Sequence, residues 1–133
     1  MSRVRIERVR AVPTHSGFFF DDQRAIKAGA IQDGFAYDGE PVTDGFDAVR
    51  EAGEALSVEL DLSDGTTVTG DCCAVQYSGA GGRDPLFRAD RYRPVVEDRV
   101  AEELEGRDAR EFGTNVAALA AMAGEDDREQ LHT

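Results

Sequence analysis

Alternating hydrophobic and polar residues predict three β-strands. The clearest run covers residues 56–62, where leucine and valine alternate with serine, glutamate and aspartate. The dipeptide Asp64-Gly65 that follows is a strong signal for a tight hairpin turn, and residues 67–75 return as the partner strand. Residues 4–12 also alternate, with a change of parity midway that is typical of a bulge. Together the three runs predict a three-stranded antiparallel sheet.

Helix signals follow the hairpin. The first predicted helix begins with Asp84 as its N-cap and Pro85 at its first helical position. Pro94 opens a second helix, and Gly106 ends it. The apolar stripe of this second helix consists of Val96, Val100 and Leu104.

A third helix is predicted from Asp108, which with Glu111 makes a pair like a capping box, to Gly124. Its apolar positions, which we interpret as core, are Phe112, Val116, Leu119 and Met122. The order of strand, long segment, hairpin and helices predicts an α+β fold, with the helices packed on one side of a small sheet.

Residues 14–50 show no hydrophobic period and combine glycines, charges and aromatic residues. A long segment of this kind inside a compact domain is either functional or disordered, and the aromatic residues argue against disorder. Two interpretations remain open: a lid that covers a site or a partner, and an irregular segment that packs its phenylalanines on the core. The pattern allows one or two helical turns between Phe46 and Ala52.

The charge of the chain limits its partners. Of the 133 residues, 27 are Asp or Glu and 15 are Lys or Arg, so the net charge is −12, and Lys27 is the only lysine. Such a surface repels nucleic acids and anionic membranes, so we expect neither as a partner. Dispersed acidity with almost no lysine is typical of proteins that work in molar salt; an ordinary acidic cytosolic protein is the alternative. The N-terminus has no apolar leader and no run is long enough for a membrane span, so we expect a cytoplasmic location.

Candidate nucleophiles and metal ligands are few. Cys72 and Cys73 are adjacent and lack the spacing of a zinc site, so we expect one or both to act as small apolar residues. His15 and His132 lie far apart in sequence, without an obvious nucleophile beside either. The dipeptide Asp21-Asp22 is expected to be a solvated charge pair, because side chains of adjacent residues diverge on a strand.

The glycine-rich stretch GDCCAVQYSGAGGRDP, residues 70–85, does not fit a phosphate-binding loop. A Walker loop requires Lys and then Ser or Thr after its last glycine, but Arg83 and Asp84 follow Gly82 here. A dinucleotide loop lies in a parallel βαβ unit, whereas the strand before this stretch belongs to a hairpin. The pattern alone favours a tight turn, in which Gln76 can donate and accept hydrogen bonds and Arg83 can bind a carboxylate.

The chain resembles the N-terminal part of the methylaspartate ammonia-lyase family, within the enolase superfamily, in the stretches GFFFDDQRAIKAGA, DGFAYDG, GDCCAVQYSGAGGRDPLF and LHT. The resemblance runs from about residue 17 to residue 133, and residues 76–85 carry it most specifically. It departs at Cys73, where the family pattern has alanine. The resemblance implies that residues 1–133 form the family's N-terminal capping domain, a three-stranded antiparallel sheet followed by helices. The TIM-like barrel that follows in the family is absent from this chain.

The resemblance also implies a reaction, the removal of ammonia from 3-methylaspartate to give mesaconate with the help of Mg²⁺. The family's base and metal ligands lie in the barrel, so we expect this chain alone to be inactive. The expected partners are 3-methylaspartate, the barrel in cis or in trans, and a second copy in a homodimer. The alternative is a stand-alone, non-catalytic binding module that keeps the capping fold.

Gln76 is the substrate contact that the resemblance implies, and it would face the substrate amino group. The neighbouring residues that we expect to shape the mouth of the site are Tyr77, Ser78, Gly79, Gly81, Gly82 and Arg83. The phenylalanine-rich segment would then be the cap that excludes water from the reaction.

Overall fold

The computed structural model describes residues 3–73 and 86–122 of the chain. The chain divides into two compact units, the first made of Met1–Pro13, Leu56–Cys72 and Ala89–Thr133, and the second of Thr14–Ala55 and Cys73–Arg88. The elements are β1 (Ile6–Asp21), α1 (Gln23–Lys27), β2 (Ile31–Asp33), β3 (Ala36–Asp38), β4 (Arg50–Leu62), β5 (Thr67–Cys73), α2 (Ala89–Pro94), a π-helical segment (Val95–Val100), α3 (Ala101–Leu104) and α4 (Phe112–Ala120).

The three predicted strands form one sheet in the order β1-β4-β5. β4 and β5 are joined by a short turn in which Gly65 has a φ of 87°, and the Leu62 N–H donates to the Thr66 carbonyl over 2.8 Å. Such a short turn makes the two strands antiparallel. The Ser63 N–H, just after β4, donates to the carbonyl of Arg5, just before β1, so this pair also runs antiparallel. The predicted α+β fold with a three-stranded antiparallel sheet is confirmed.

β1 and β4 are longer than the pattern predicts. β1 continues to Asp21 and β4 already begins at Arg50, so both ends of the segment 14–50 belong to the sheet. The rest of that segment holds α1 and the two-stranded antiparallel hairpin β2–β3. The interpretation of residues 14–50 as a segment without regular structure is therefore wrong, as is the helical turn near Phe46, because long-range strand pairing decides the conformation where local periodicity is weak.

The core of the first unit combines sheet and helix side chains. On β1 the buried positions change parity between Ile6 and Val9, as the pattern predicts for a bulge. Gly106 ends α3 as predicted: its φ is 89°, and its N–H donates to the Ile6 carbonyl over 2.8 Å. The buried helical residues are Ala89, Tyr92, Val95, Val96, Ala101 and Leu104.

The helical segment does not divide at Pro94. The first helix begins at Ala89, five residues after the predicted start at Asp84, and continues past Pro94 without a break to Leu104. Pro94 has a φ of −61°, which a helix accepts, and the wider π-helical turns begin directly after it. A proline removes one N–H from the regular ladder, and a local change of helix type accommodates that loss.

The last helix is less buried than its apolar stripe predicts. Phe112 is 77% exposed and Val116 46%, while Leu119 and Met122 are only half-buried. The predicted capping box at Asp108 is also wrong, because the Asp108 carboxylate accepts from the Arg110 N–H, over 3.1 Å, and no side chain caps α4. An apolar stripe becomes core only where other elements enclose it, and within the described residues α4 is not enclosed.

Candidate functional site

All the site residues that the sequence predicts, Gln76, Tyr77, Ser78, Gly79, Gly81, Gly82 and Arg83, lie outside the described residues. The structure does define where this segment begins and ends. On one side Cys73 ends β5 with an exposed side chain. On the other side Leu86 and Phe87 are buried in the second unit, with Phe87 only 1% exposed. The described residues that flank this segment are therefore Cys73 on one side and Leu86 on the other.

Arg88 is the centre of a cluster of charges directly after this segment. Its guanidinium lies 2.8 Å from Glu54 Oε2 and 2.5 Å from Glu51 Oε1. It also donates to the carbonyl of Gly45, and it lies 3.8 Å from the carboxylate of Asp47. The Asp47 N–H in turn donates to Glu51 Oε2 over 2.9 Å. One arginine thus connects the start of β4 with the turn that precedes it.

The carboxylates of the cluster keep Arg88 protonated. Burial alone would lower the pKa of Arg88, but the hydrogen bond to Glu54 and the charge of Glu51 outweigh it and raise the pKa above its ordinary value. The Glu51 Oε1 atom is buried and meets Arg88 as a charge contact without an aligned hydrogen bond. A permanently charged arginine between two carboxylates cannot donate a proton, so the cluster is suited to positioning and not to acid–base chemistry.

Asp22 is fully buried, which contradicts the expected solvated charge pair. Its Oδ1 accepts from the backbone N–H groups of Arg24 and Ala25 and from the Thr43 hydroxyl, at 3.2, 3.4 and 2.9 Å. Its Oδ2 accepts from the N–H groups of Val42 and Thr43, the latter over 2.9 Å. A carboxylate tolerates burial when several N–H groups solvate it in place of water. Asp22 therefore ties the start of α1 to residues 42–43.

The hydrogen bonds also keep Asp22 ionised. Burial by itself raises the pKa of a carboxyl group, but the hydrogen bonds from Thr43, Val42 and Ala25 together outweigh this and hold the pKa of Asp22 below its ordinary value. A carboxylate that is saturated with donors and ionised at neutral pH has no free capacity for a proton or a metal ion. Its role in this structure is to hold the backbone.

The neighbouring Asp21 pairs with Arg50 at the start of β4. Arg50 Nε donates to Asp21 Oδ1 over 2.6 Å, and its Nη1 donates to the Phe35 carbonyl over 3.0 Å. The Arg50 guanidinium also lies 5.1 Å from the ring centre of Tyr37, a cation–π distance. The hydrogen bond and charge of Asp21 raise the pKa of Arg50. These contacts attach the β2–β3 hairpin to the ends of β1 and β4.

The hairpin presents apolar side chains while its base is fixed. Phe35 is 86% exposed and Ile31 70%. By contrast, Phe20 and Phe46 are buried and meet edge to face, with ring centres 6.4 Å apart. Some phenylalanines of the segment 14–50 therefore pack in the core, as the second interpretation predicts, whereas Phe35 lies exposed on a polar-anchored hairpin and the interpretation as a lid stays a prediction.

Sequence patterns missed the residues that organise this region. Asp22 precedes the helical stretch QRAIK and carries the residue type of an N-cap, which is the one local signal that could have revealed it. Arg50 and Arg88 carry no such signal, because their carboxylate partners lie 29 and 34 residues away in sequence.

The first unit contains two apolar cavities beside α4. One, of about 400 Å³, is lined mainly by aliphatic side chains of β4, β5 and the helices, with Thr69 and Cys72 among them. The other, of about 350 Å³, adds Phe112 and Asn115. Cys72 is half-buried while Cys73 is exposed, as expected for adjacent residues on a strand. Linings of this kind can accommodate apolar groups but offer little that could perform chemistry.

Other candidate chemistry is sparse in the described part of the chain. His15 is exposed on β1, and His132 lies outside the described residues. Residues 3–73 and 86–122 contain no group of three or more His, Cys, Asp or Glu side chains that could hold a metal ion. Within the same residues, no helix has both the length and the hydropathy needed to cross a membrane.

Comparison with known proteins shows the family to which the chain belongs. A family model described as methylaspartate ammonia-lyase N-terminus matches residues 4–133. A methylaspartate ammonia-lyase from Haloarcula marismortui is 66% identical over 131 residues, 98% of this chain and 31% of the relative. One from Citrobacter amalonaticus is 53% identical over 130 residues, again 98% of this chain and 31% of the relative.

Two solved structures of methylaspartate ammonia-lyases superpose well on this chain. The β-methylaspartase of Clostridium tetanomorphum, in a Mg complex, superposes with a TM-score of 0.79 at 52% identity, over 87% of this chain and 28% of that one. The methylaspartate ammonia lyase of Citrobacter amalonaticus, which contains (2S,3S)-3-methylaspartic acid, gives 0.77 at 51% identity over the same shares. The chain thus spans less than a third of the length of these relatives. With residues 4–133 matched by the family model and 98% of its sequence aligned to a relative, the chain belongs to the methylaspartate ammonia-lyase family, and it corresponds to the N-terminal part of that enzyme.

Proposed function

We propose that residues 1–133 are the capping domain of a methylaspartate ammonia-lyase of the enolase superfamily, which eliminates ammonia from 3-methylaspartate to give mesaconate. The family match over residues 4–133 carries this proposal, together with 66% identity to the Haloarcula marismortui enzyme. The superposition on a relative that contains (2S,3S)-3-methylaspartic acid supports the substrate. In this scheme the chain supplies part of the active-site lining, and the catalytic groups lie in a barrel domain, in cis or in trans.

The described carboxylates do not fit a magnesium site. Asp22 is saturated by backbone donors, Glu51 and Glu54 both pair with Arg88, and the described residues contain no group of three or more metal-binding side chains. The relative solved as a Mg complex supports a role for Mg²⁺ in the complete enzyme, where it would stabilise the negative charge that forms when the substrate loses its proton. We therefore place the metal ligands and the base outside this chain, which should be inactive by itself.

Gln76 is proposed to bind the substrate amino group, because an amide side chain offers a hydrogen-bond acceptor to an ammonium group. Tyr77, Ser78, Gly79, Gly81, Gly82 and Arg83 would shape the mouth of the site. Leu86 and Phe87, which follow these residues in sequence, are buried in the second unit. The phenylalanine-rich segment would exclude water, and the exposed Phe35 on its anchored hairpin is suited to that task.

The complete protein is proposed to be a cytoplasmic homodimer that works in high salt. The net charge of −12 and the single lysine support the salt preference, as does the high identity to a protein from Haloarcula marismortui. At molar salt the screening length is only about 3 Å, so repulsion among the surface carboxylates is weak.

The proposal is tested with the full-length protein from its host, assayed in high salt with Mg²⁺ for the ultraviolet absorbance of mesaconate. We expect Gln76→Ala to weaken transition-state binding by about 1–3 kcal/mol, which lowers kcat/KM by roughly 5- to 150-fold. Asn115→Ala is the matched control, because the Asn115 amide lies in the first unit, outside the residues proposed for the site, and donates to the Asp108 carbonyl over 2.9 Å.

Two results would count against the proposal. Wild-type full-length protein that forms no mesaconate would refute the activity, and equal kcat/KM for Gln76→Ala and wild type would refute the role of Gln76. The 133-residue chain alone, under the same conditions, should form no mesaconate above a control without protein.

A further inference from the structure

Residues 23–41, which we call the flap, bury almost no apolar surface. All of them are described, and Ala25 is the one buried residue among them. The chain on either side is different, since Phe20 and Phe46 are buried. The flap contains the hairpin β2–β3, and a two-stranded hairpin without a hydrophobic core is only marginally stable in water. Polar contacts must therefore hold the flap in place.

The base of the flap is closed by Asp22. The Asp22 carboxylate accepts hydrogen bonds from the N–H groups of Arg24 and Ala25, at the start of the flap. It also accepts from the N–H groups of Val42 and Thr43, directly after the end of the flap. One fully buried side chain thus joins both ends of a loop. Separation of the two ends would leave this buried carboxylate short of donors, which is costly.

The hairpin is held by a second, weaker contact, to Arg50. The Arg50 Nη1 atom donates to the Phe35 carbonyl over 3.0 Å, and the guanidinium lies 5.1 Å from the ring centre of Tyr37. Arg50 and its carboxylate partner Asp21 lie on β4 and β1, outside the flap, so their ion pair can persist when the hairpin leaves. The hydrogen bond to Phe35 is exposed to solvent, so water can replace it at little cost.

We propose that the flap opens separately from the rest of the second unit, in two steps. In the first step the hairpin leaves Arg50, and in the second the base leaves Asp22. Segments with few buried apolar contacts open at a lower free energy than the whole domain, and the order follows because the first contact is exposed and the second is buried. The two contacts thus control the movement of a hairpin that carries the exposed side chains of Ile31 and Phe35. This behaviour is a property of the chain itself and does not depend on the proposed activity.

Amide hydrogen exchange of the wild-type 133-residue chain tests the separate opening. The rates are measured by NMR in high salt, at a series of low urea concentrations. We expect the hydrogen-bonded amides of the flap, such as those of Ala28 and Ala30, to exchange about 100-fold faster than those at the centre of β4. Their rates should depend little on urea, because local opening exposes little surface. Equal rates and equal urea dependence in the flap and in β4 would overturn the proposal.

Two variants test the order of the steps. Arg50→Lys keeps the charge beside Asp21, but one ammonium group cannot also reproduce the contacts of a planar guanidinium to Phe35 and Tyr37. It should speed exchange of the β2–β3 amides about 10-fold and leave the amides of residues 42–43 unchanged. Asp22→Asn replaces one acceptor oxygen by a donor, so it should speed exchange about 10-fold or more at residues 42–43 and in α1.

Arg10→Lys is the matched control, because Arg10 lies 2.8 Å from Glu59 and 2.7 Å from Asp61 in the first unit. It should leave exchange in the flap within about 2-fold of wild type. Unchanged hairpin exchange in Arg50→Lys would refute the role of Arg50, and equal acceleration of the hairpin and of residues 42–43 would refute the two-step order. If Asp22→Asn does not fold, the wild-type rates decide: exchange at residues 42–43 as fast as in the hairpin would also refute that order.

Discussion

The first unit and the second unit of the chain fill their interiors with different groups. The interior of the first contains Tyr92, Val95 and Leu104 from its helices, together with aliphatic side chains from the sheet. The interior of the second contains aromatic residues such as Phe20, and also the ionised, fully buried Asp22. Hydrophobic burial depends on area and is tolerant of direction, whereas a buried carboxylate requires each donor in its place.

This difference determines which substitutions should destabilise each unit most. Loss of volume should be most costly where aliphatic and aromatic side chains form the core. Loss of one oxygen acceptor should be most costly where backbone N–H groups converge on it, because these groups would remain buried without a partner.

The largest effect is expected at Asp22. Replacement by alanine removes both oxygens and strands the N–H groups of Arg24, Ala25, Val42 and Thr43. We expect a loss of about 3–5 kcal/mol in the free energy of unfolding, measured by urea titration in high salt. Asp64→Ala in the first unit is the control. Asp64 also accepts a hydrogen bond from the Thr66 N–H, over 2.9 Å, but it is exposed. Its replacement should therefore lower the free energy of unfolding much less than that of Asp22.

Acid should reproduce part of this loss. The folded pKa of Asp22 lies below its unfolded value, so its contribution to stability is complete above about pH 4 and is lost as the pH falls through the folded pKa. Urea titrations at a series of pH values below 5 should show a steeper decline for wild type than for Asp22→Asn. Parallel pH curves for the two proteins would show that Asp22 is not the group responsible.

Volume loss in the first unit is the next largest effect. Leu104→Ala removes a side chain that is 6% exposed, and we expect a loss of about 2–3 kcal/mol. Val116→Ala on α4, which the same helical pattern marks as core, should change stability by about 0.5 kcal/mol or less, because Val116 is half-exposed. Thermal unfolding of the two variants separates them. Similar losses would mean that α4 is enclosed in solution.

The smallest effect on stability is expected at Phe112, the first residue of α4. Phe112→Ser exchanges a side chain that is largely exposed, so the free energy of unfolding should change by about 0.5 kcal/mol or less. The same change should reduce self-association of the 133-residue chain, since exposed aromatic surface promotes contacts between molecules. Sedimentation at several protein concentrations tests this, and a large loss of stability would contradict the exposure of Phe112.

Sequence reasoning was most successful where information is local. The hairpin turn follows from Asp64-Gly65, and the end of α3 follows from Gly106, because glycine adopts the positive φ that both positions require. The hydrophobic pattern predicted the three-stranded sheet and the helices, and the family resemblance supplied the proposed role of Gln76, which stays a prediction because Gln76 lies outside the described residues.

The failures concern interactions between distant residues. Asp21 and Asp22 look equivalent in sequence, but one binds Arg50 and the other binds the backbone at residues 42–43. No period in the sequence encodes either partner. The predicted burial of Phe112 and Val116 was wrong for the opposite reason. The local helical pattern is strong, but whether the side chains are buried depends on which other elements pack against them.

The capping of α1 by Asp22 has a practical consequence. α1 ends at Lys27, which is exposed and is the only lysine, so amine-reactive dyes have just two targets in the chain, this side chain and the α-amino group. A first reagent at about neutral pH blocks the α-amino group, since α-amino groups in general are less basic than lysine side chains, and the dye then reacts with Lys27 at higher pH. A dye on Lys27 would sit within two turns of Asp22 and report by fluorescence when that short helix loosens.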